Sequence, residues 1–332
     1  MDVHEPTTEV LRPAPPIRTL TGKYSKDENF RILSLDGGGS KGFYTLGVLK
    51  EIEGMLQCPL HECFDLIYGT STGSIIASLL ALGYEVDEIH SLYKRHVPSV
   101  MRPWRAASKS AALRKLAIDV FGNQTFADVK TGIGVVATKW EIERPMIFKG
   151  SAQQAHGRTG TFVPGFGATI GAAVQASCSA YPFFKRQTIS LSAGSFVELA
   201  DGGFCANNPT LYAIADALSA LRVSPERLQV VSVGVGIYPE KKQNWLLRTW
   251  KKYTVTMSLL QKVLEVNTQS MEQLREVLFR SVSTVRVNKA FNKPQMATDF
   301  MEYDLQKLDL LWQQGRESFA EYESALKTTL IT

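Results

Sequence analysis

The chain has 332 residues, of which 44% are hydrophobic and 21% charged, and its 37 basic and 32 acidic side chains leave a formal charge of +5. Values this close to the globular average exclude an intrinsically disordered chain, and 25 glycines with 14 prolines exclude collagen-like and low-complexity architectures. A modest positive charge spread over so long a chain, with no recognised binding motif, argues against a nucleic-acid polymer as partner.

Residues 1–29 hold prolines at 6, 13, 15 and 16 and show neither helical nor strand periodicity, so they are expected to form a poorly ordered arm. The opening MDVHEPTTEVLRPAPP lacks the apolar run of a secretory signal. Arg31 to Leu35 then reads as a strand ended by Asp36 and three glycines, after which Phe43, Leu46, Leu49, Ile52 and Leu56 recur at helical spacing. The pattern repeats: Phe64 to Tyr68 reads as a strand, Gly69 to Gly73 as a turn and Ser74 to Leu82 as a buried helix. Two strand–turn–helix units in succession predict a parallel sheet. Gly132 to Thr138, Pro145 to Lys149 and Phe196 to Ala200 read as further strands, the last leading into Asp201-Gly202-Gly203. Asn208 suits an N-cap and Pro209 the first helical position, which predicts a helix over 209–221. Leu228 to Val235 is a β-branched run suited to a strand buried on both faces. Beyond Glu240 the chain turns helical and charged, with one short strand expected at Thr284 to Asn288.

Two uncharged stretches, Leu66 to Tyr84 and Thr159 to Phe184, are as long as a bilayer is thick but carry too many hydroxyls, glycines and prolines to span one. Cys58, Cys63, Cys178 and Cys205 are too few and too scattered for a disulfide framework, which favours a reducing, cytosolic setting. Cys58 and Cys63 flank His61 without a second ligand pair, so they read as core thiols and no metal site is expected.

Gly69-Thr70-Ser71-Thr72-Gly73 falls at a strand-to-helix junction, where a serine on a sharp elbow exposes its hydroxyl and flanking glycines remove clashing Cβ atoms. A GxSxG pentapeptide also arises by chance, and an ordinary tight turn is the alternative to a nucleophile at Ser71. In Asp36-Gly37-Gly38-Gly39-Ser40-Lys41-Gly42, consecutive glycines let backbone N–H groups converge beside a helix N-terminus, making a site for negative charge such as a tetrahedral oxyanion. Residues 37–42 equally match the GxGxxG dinucleotide fingerprint, which keeps a dinucleotide-dependent oxidoreductase open. Against that reading, Asp36 would set a carboxylate beside a pyrophosphate, and the Gly69 to Gly73 turn occupies the place of the expected acidic residue.

The five histidines, His4, His61, His90, His96 and His156, all precede Asp201. A hydrolase triad in the order serine, acid, histidine would therefore exclude Asp201, the one carboxylate at a strand end followed by turn glycines. The residues point instead to a Ser71–Asp201 dyad in which the carboxylate takes the hydroxyl proton. A carboxylate of pKa about 4 is a poor base for serine, so the dyad requires a water-poor site that raises it. The alternative for Asp201 is a turn residue satisfying local backbone groups, and His156, in a glycine-rich loop, reads as surface.

These three motifs, with Asn207-Asn208-Pro209 after Asp201 and with Ala176-Ser177, Pro182 and Phe183-Phe184 before it, resemble the patatin-like phospholipase family over residues 30 to about 240. The resemblance implies an α/β, three-layer patatin-like sandwich with a central, mainly parallel sheet and helices on both faces. It implies Ser71 as nucleophile, Asp201 as general base, and the amides of Gly37, Gly38 and Gly39 as oxyanion hole, with Gly42, Gly69, Gly73, Gly202 and Gly203 as motif turns. The implied activity is hydrolysis of acyl esters in membrane phospholipids without cofactor or metal. The expected division is an arm at 1–29, a catalytic domain at 30–240 and a mainly helical extension at 241–332 packed on the core. Stand-alone bacterial members include antiphage effectors gated by a cyclic dinucleotide, so such an activator, a homo-oligomer and a cytoplasmic enzyme that meets the inner membrane when active are carried as expectations. A catalytically silent lipid- or nucleotide-binding module is the remaining class.

Lys241 to Lys262 has six basic residues and no acidic one. On a helix, Leu246, Trp250, Tyr253, Met257 and Leu260 share one face and Lys241, Arg248, Lys251, Lys252 and Lys262 the other, which suits either anionic lipid or packing on the core with a solvated basic outside.

Overall fold

The computed structural model describes residues 29–192, 194–239 and 251–331. The expected arm, apart from its last residue, and positions 241–250 of the basic segment lie outside the described residues.

β1 (Phe30–Leu35) runs through the glycine loop into α1 (Gly42–Leu56), and a single-turn α2 (Leu60–Cys63) leads to β2 (Leu66–Thr70) and α3 (Thr72–Leu82). Next come α4 (Val86–Met101), α5 (Ala106–Phe121), β3 (Gly132–Lys139), β4 (Arg144–Lys149) and α6 (Ile170–Ser177). The chain continues with β5 (Gln187–Ser190), β6 (Phe196–Asp201), α7 (Gly203–Ala206), α8 (Thr210–Ala215) and β7 (Leu228–Val233). α9 (Lys251–Leu278), β8 (Ser283–Val287) and α10 (Leu305–Leu330) complete it.

The strands form one sheet in the order β5-β6-β3-β2-β1-β7-β8, with β4 also paired to β3. From β3 to β8 the neighbours are parallel, whereas β4 and β6 run antiparallel to β3. Period-two alternation decides the layers. Leu33 and Leu35 of β1 and Val231 and Val233 of β7 join a core that also takes residues of α1, α3, α4, α5, α6 and α10. Ile32, Leu66 and Val230 point the other way, onto Ala206 of α7 and Ala213 and Ile214 of α8. The three layers that the family resemblance implies are therefore present, and every residue of α3 is buried between sheet and helices.

The anticipated strands and the first two helices occur within two residues of their expected bounds. The helix expected over 209–221 is α8 followed by a π-helical turn at Asp216–Ala220. The helix begins one residue later than expected, at Thr210 with Pro209 in the cap position, although Asn208 Oδ1 accepts the Thr210 N–H at 3.0 Å. The widened turn carries Asp216, whose buried carboxylate bonds Lys149 Nζ at 2.6 Å and also meets the Tyr68 hydroxyl. Cys58 and Cys63 are joined as a disulfide with Cα atoms 6.6 Å apart, where two thiols are expected, because α2 folds the intervening segment back on itself.

The C-terminal segment is woven into the sheet. β8 pairs with β7 at the sheet edge, and α10 lies on α1 so closely that a Cβ on Gly47 would come within 2.2 Å of the Trp312 carbonyl. On α9, Leu260 is buried and Met257 packs against the core while Lys262 is exposed, so the described part follows the core-packing alternative. No helix among the described residues is long and apolar enough to cross a membrane.

Candidate active site

Between β2 and α3 the chain turns on one residue, Ser71, with φ 51° and ψ −123°. A non-glycine residue there costs on the order of 1–3 kcal/mol and persists only where its surroundings fix it. They do. The Ser71 N–H donates to Ser177 Oγ at 2.9 Å, the Ser177 hydroxyl donates to the Val136 carbonyl at 2.5 Å, and the Ser71 carbonyl accepts from the Ser74 N–H at 2.8 Å. The elbow is also tight enough to require its glycines, because a Cβ on Gly69 would come within 2.2 Å of the Gly73 carbonyl oxygen and one on Gly73 within 2.3 Å of the Leu35 oxygen.

Sheet register brings the carboxylate to the serine. Thr70 of β2 pairs with Val136, and Asp201 of β6 pairs with the next residue, Ala137. Because β4 occupies the other edge of β3 there, β2 and β6 share one side and meet at their C-terminal ends. Ser71 Oγ consequently donates to Asp201 Oδ2 at 2.8 Å, and the Gly203 N–H donates to Oδ1 at 2.8 Å. Asp201 is 2% exposed, and burial pushes its carboxyl from the usual 3.8 up to about 7, against the opposing pull of the Gly203 and Ser71 hydrogen bonds. This is the base strength that the sequence argument requires and an exposed aspartate lacks.

Gly38 and Gly39 line the same cleft as Ser71 and Asp201. Gly37 does not. Its N–H donates to the Asn207 carbonyl at 2.9 Å, so of the expected trio of oxyanion amides Gly38 and Gly39 are the two beside the serine in this arrangement. Gly42 opens α1 against Thr72, and Gly202 and Gly203 carry the chain from β6 into α7. Asp36, at the root of the loop, is 1% exposed and takes a two-pronged ion pair from Arg286 of β8, with Nη1 to Oδ1 at 2.9 Å. The loop that matches a dinucleotide fingerprint is thus anchored by a buried ion pair and faces the serine.

The cleft is narrow, with about 50 Å³ of room for a water-sized molecule and the rest of its space open to solvent. Apart from the dyad, Thr72, Asn207 and the loop glycines it is walled by apolar groups, among them Val97, Val100 and Met101 of α4 and Leu113 and Leu116 of α5. Such a wall accepts an acyl chain and keeps water from the carboxylate. His156 lies elsewhere, with Nε2 2.7 Å from Asp216 Oδ1, and takes no part in the dyad. Among the described residues no group of three or more His, Cys, Asp or Glu side chains is placed to hold a metal ion. Sequence reasoning missed the Ser177 hydroxyl, Arg286 and the α4–α5 wall. Only Ser177 carried a signal, through its place in the segment before Asp201.

A family model described as patatin-like phospholipase matches residues 33–214, a stretch that contains the glycine loop, Ser71 and Asp201. The chain is 59% identical over 313 residues to an Escherichia coli protein named cUMP-AMP-activated phospholipase, across 94% of this chain and 98% of that one. It is 30% identical over 205 residues to a Vibrio cholerae protein named cGAMP-activated phospholipase, across 54% of this chain and 55% of that one. The crystal structure of VipD from Legionella pneumophila superposes with a TM-score of 0.51 at 12% identity, across 98% of this chain and 72% of that one, a likeness of fold. The family match over more than half of the chain, together with the near full-length identity, leads to one conclusion: this chain belongs to the patatin-like phospholipase family.

Proposed function

We propose that the protein is a serine acyl hydrolase of phospholipase A type that cleaves acyl esters of membrane phospholipids through a Ser71–Asp201 dyad. The observation that carries this is the 2.8 Å hydrogen bond from Ser71 Oγ to a buried carboxylate whose pKa is pushed up to about 7, at the floor of an apolar cleft. As Ser71 Oγ attacks the ester carbonyl carbon, Asp201 accepts the hydroxyl proton and the carbonyl π electrons move to oxygen. The Gly38 and Gly39 amides hold that oxyanion, each well-placed donor contributing roughly 3–4 kcal/mol. Collapse expels the lysolipid alkoxide, which takes the proton from Asp201. Water then attacks the acyl enzyme, gives a proton to Asp201, and the returning proton restores the serine as the fatty acid leaves.

Residues 30–240 carry this chemistry in our reading, and residues 241–332 support and regulate it. A phospholipase active without restraint would attack its own cell's bilayer, which is the physical reason for a gate. The near full-length relative named cUMP-AMP-activated supports a cyclic dinucleotide as that gate's ligand. The enzyme would reside in the cytoplasm and meet the inner membrane when active.

The test is fatty-acid release from mixed phospholipid liposomes, with and without a panel of cyclic dinucleotides, by the parent, Ser71→Ala and Asp201→Ala proteins. The expected loss in each variant is on the order of 10³-fold or more, with a fluorophosphonate probe labelling Ser71 in the parent. Substantial release by either folded variant would break the dyad.

A further inference from the structure

Beside the glycine loop lies a second cleft, lined by α9, open to solvent and about 480 Å³ in volume. It is more polar than the first. Lys41 of the glycine loop and Lys262 of α9 both line it, and so do Gln261, Gln269, Gln273 and Asn288. Lys262, Glu265, Gln269 and Gln273 recur at three- and four-residue spacing, which sets them on one face of α9. Two carboxylates also face the space. Asp36 is neutralised by Arg286, and Glu265 stands between the two ammonium groups, 3.9 Å from Lys41 Nζ and 3.9 Å from Lys262 Nζ. Both separations are too long for hydrogen bonds, so Glu265 acts on the two lysines as an ion-pair partner and not as a hydrogen-bond acceptor. An anionic oxygen placed within hydrogen-bonding distance of either nitrogen would make the stronger, charge-assisted contact.

The two clefts share a wall made by Gly38, Asn207, Leu264 and Phe300. Asn207 ties that wall to α9 and to the loop together. Its N–H donates to Asn267 Oδ1 at 2.9 Å and its side-chain amide to Thr268 Oγ1 at 2.7 Å, both on α9. Toward the loop, the same amide group donates to the Gly37 carbonyl at 3.2 Å, and the Asn207 carbonyl accepts the Gly37 N–H at 2.9 Å. A displacement of α9 therefore reaches the segment that carries the Gly38 and Gly39 amides through one side chain.

We propose that this second cleft seats the activating ligand, a cyclic dinucleotide whose phosphodiesters lie against Lys41 and Lys262, and that occupancy is relayed to the oxyanion loop through Asn207. The inference rests on the reading of the chain as a cyclic-dinucleotide-gated enzyme and assigns that gate a place. Two ammonium groups match two phosphodiesters. The side-chain amides along α9 and at Asn288 supply donors and acceptors for base edges, and the cleft is of nucleotide-binding size. A phospholipid headgroup carries the same phosphodiester chemistry, so the experiment must separate the two sources.

The measurement is calorimetric titration of cUMP-AMP into the full chain bearing Ser71→Ala, which binds without turnover, and into the same chain with Lys262→Glu or Lys41→Met added, each checked for folding by circular dichroism. Lys262→Glu, at an exposed helix position, is expected to weaken binding about tenfold or more, and Lys41→Met at least as much. Asn267→Ala, outside the cleft and placed on a chain with Ser71 intact, is expected to bind with parental affinity while losing most of the ligand-dependent rise in fatty-acid release. Parental affinity in both lysine variants would overturn the assigned site while leaving the gate itself standing. Failure of the Ser71→Ala chain to bind any of a panel of cyclic dinucleotides would overturn the gated reading and this inference with it. Displacement of bound cUMP-AMP by glycerophosphoethanolamine at comparable concentration would assign the phosphodiester contacts to substrate and likewise overturn the activator site.

Discussion

Asp201 must be ionised to accept a proton from Ser71, yet its surroundings favour the protonated form. With a carboxyl pushed from 3.8 up to about 7, the base is half formed near neutrality. The value of kcat/KM on a soluble ester is therefore expected to rise about tenfold per pH unit below 7 and to level off above about 8. Stability runs the other way. Because the folded-state value is raised, the contribution of Asp201 to stability is fully present below about 3.8 and is lost as pH rises through about 7, an effect on the order of 4 kcal/mol. Asp201→Asn keeps a neutral side chain that still accepts the Gly203 N–H. It should unfold at a higher temperature than the parent at pH 8.5, with about half of the difference remaining at pH 5.5 and the rest closing toward about pH 4, while hydrolysis is lost throughout. A thermal melt difference that does not change with pH would show that burial does not perturb this carboxylate.

At the scale of elements, the glycine loop is positioned from both ends of the chain. β1 delivers it, and β8, some 250 residues later, supplies Arg286 to the Asp36 carboxylate at its root. The Asp36 carboxylate is out of water and Arg286 is mostly so, and removing the arginine leaves an uncompensated buried charge, which costs about 3–5 kcal/mol, whereas removing both costs much less. Arg286→Met should lower stability by about that amount in urea unfolding and reduce turnover by loosening the loop. The double variant Asp36→Asn with Arg286→Met should regain more than half of the lost stability. Additive losses in the double variant would mean the pair is not coupled. This ion pair marks the limit of local reading. Asp36 carries a turn motif visible in seven consecutive residues, but nothing near it or near Arg286 announces a partner across the sheet.

For the whole molecule, what was legible follows the same division. The two strand–turn–helix units, the Ser71 elbow and the Asp201 turn are local patterns in which spacing and glycines settle the backbone, and the family resemblance rests on them. The antiparallel return of β6 that aims Asp201 at Ser71, the Ser177 prop and the α4–α5 wall depend on pairings between distant segments and leave no periodic trace. The same holds for the surface expected to meet lipid. Beside Met101 and Phe300, which line the cleft, the chain exposes Arg102, Trp104 and Arg105 between α4 and α5, and Tyr303, whose ring lies 5.9 Å from the Arg102 guanidinium carbon. Exposed aromatics flanked by cations at a cleft mouth suit the headgroup region of an anionic bilayer, where each basic residue contributes about 1 kcal/mol. Arg102→Glu with Arg105→Glu should therefore cut hydrolysis of anionic liposomes about tenfold or more, and Trp104→Ser by a smaller factor, with the parent's advantage shrinking as salt is added. Turnover of a short soluble ester should stay within about twofold, because none of these side chains lines the cleft. Equal losses on both substrates would mean that this corner shapes the cleft, and unchanged liposome hydrolysis would move the lipid contact to another face.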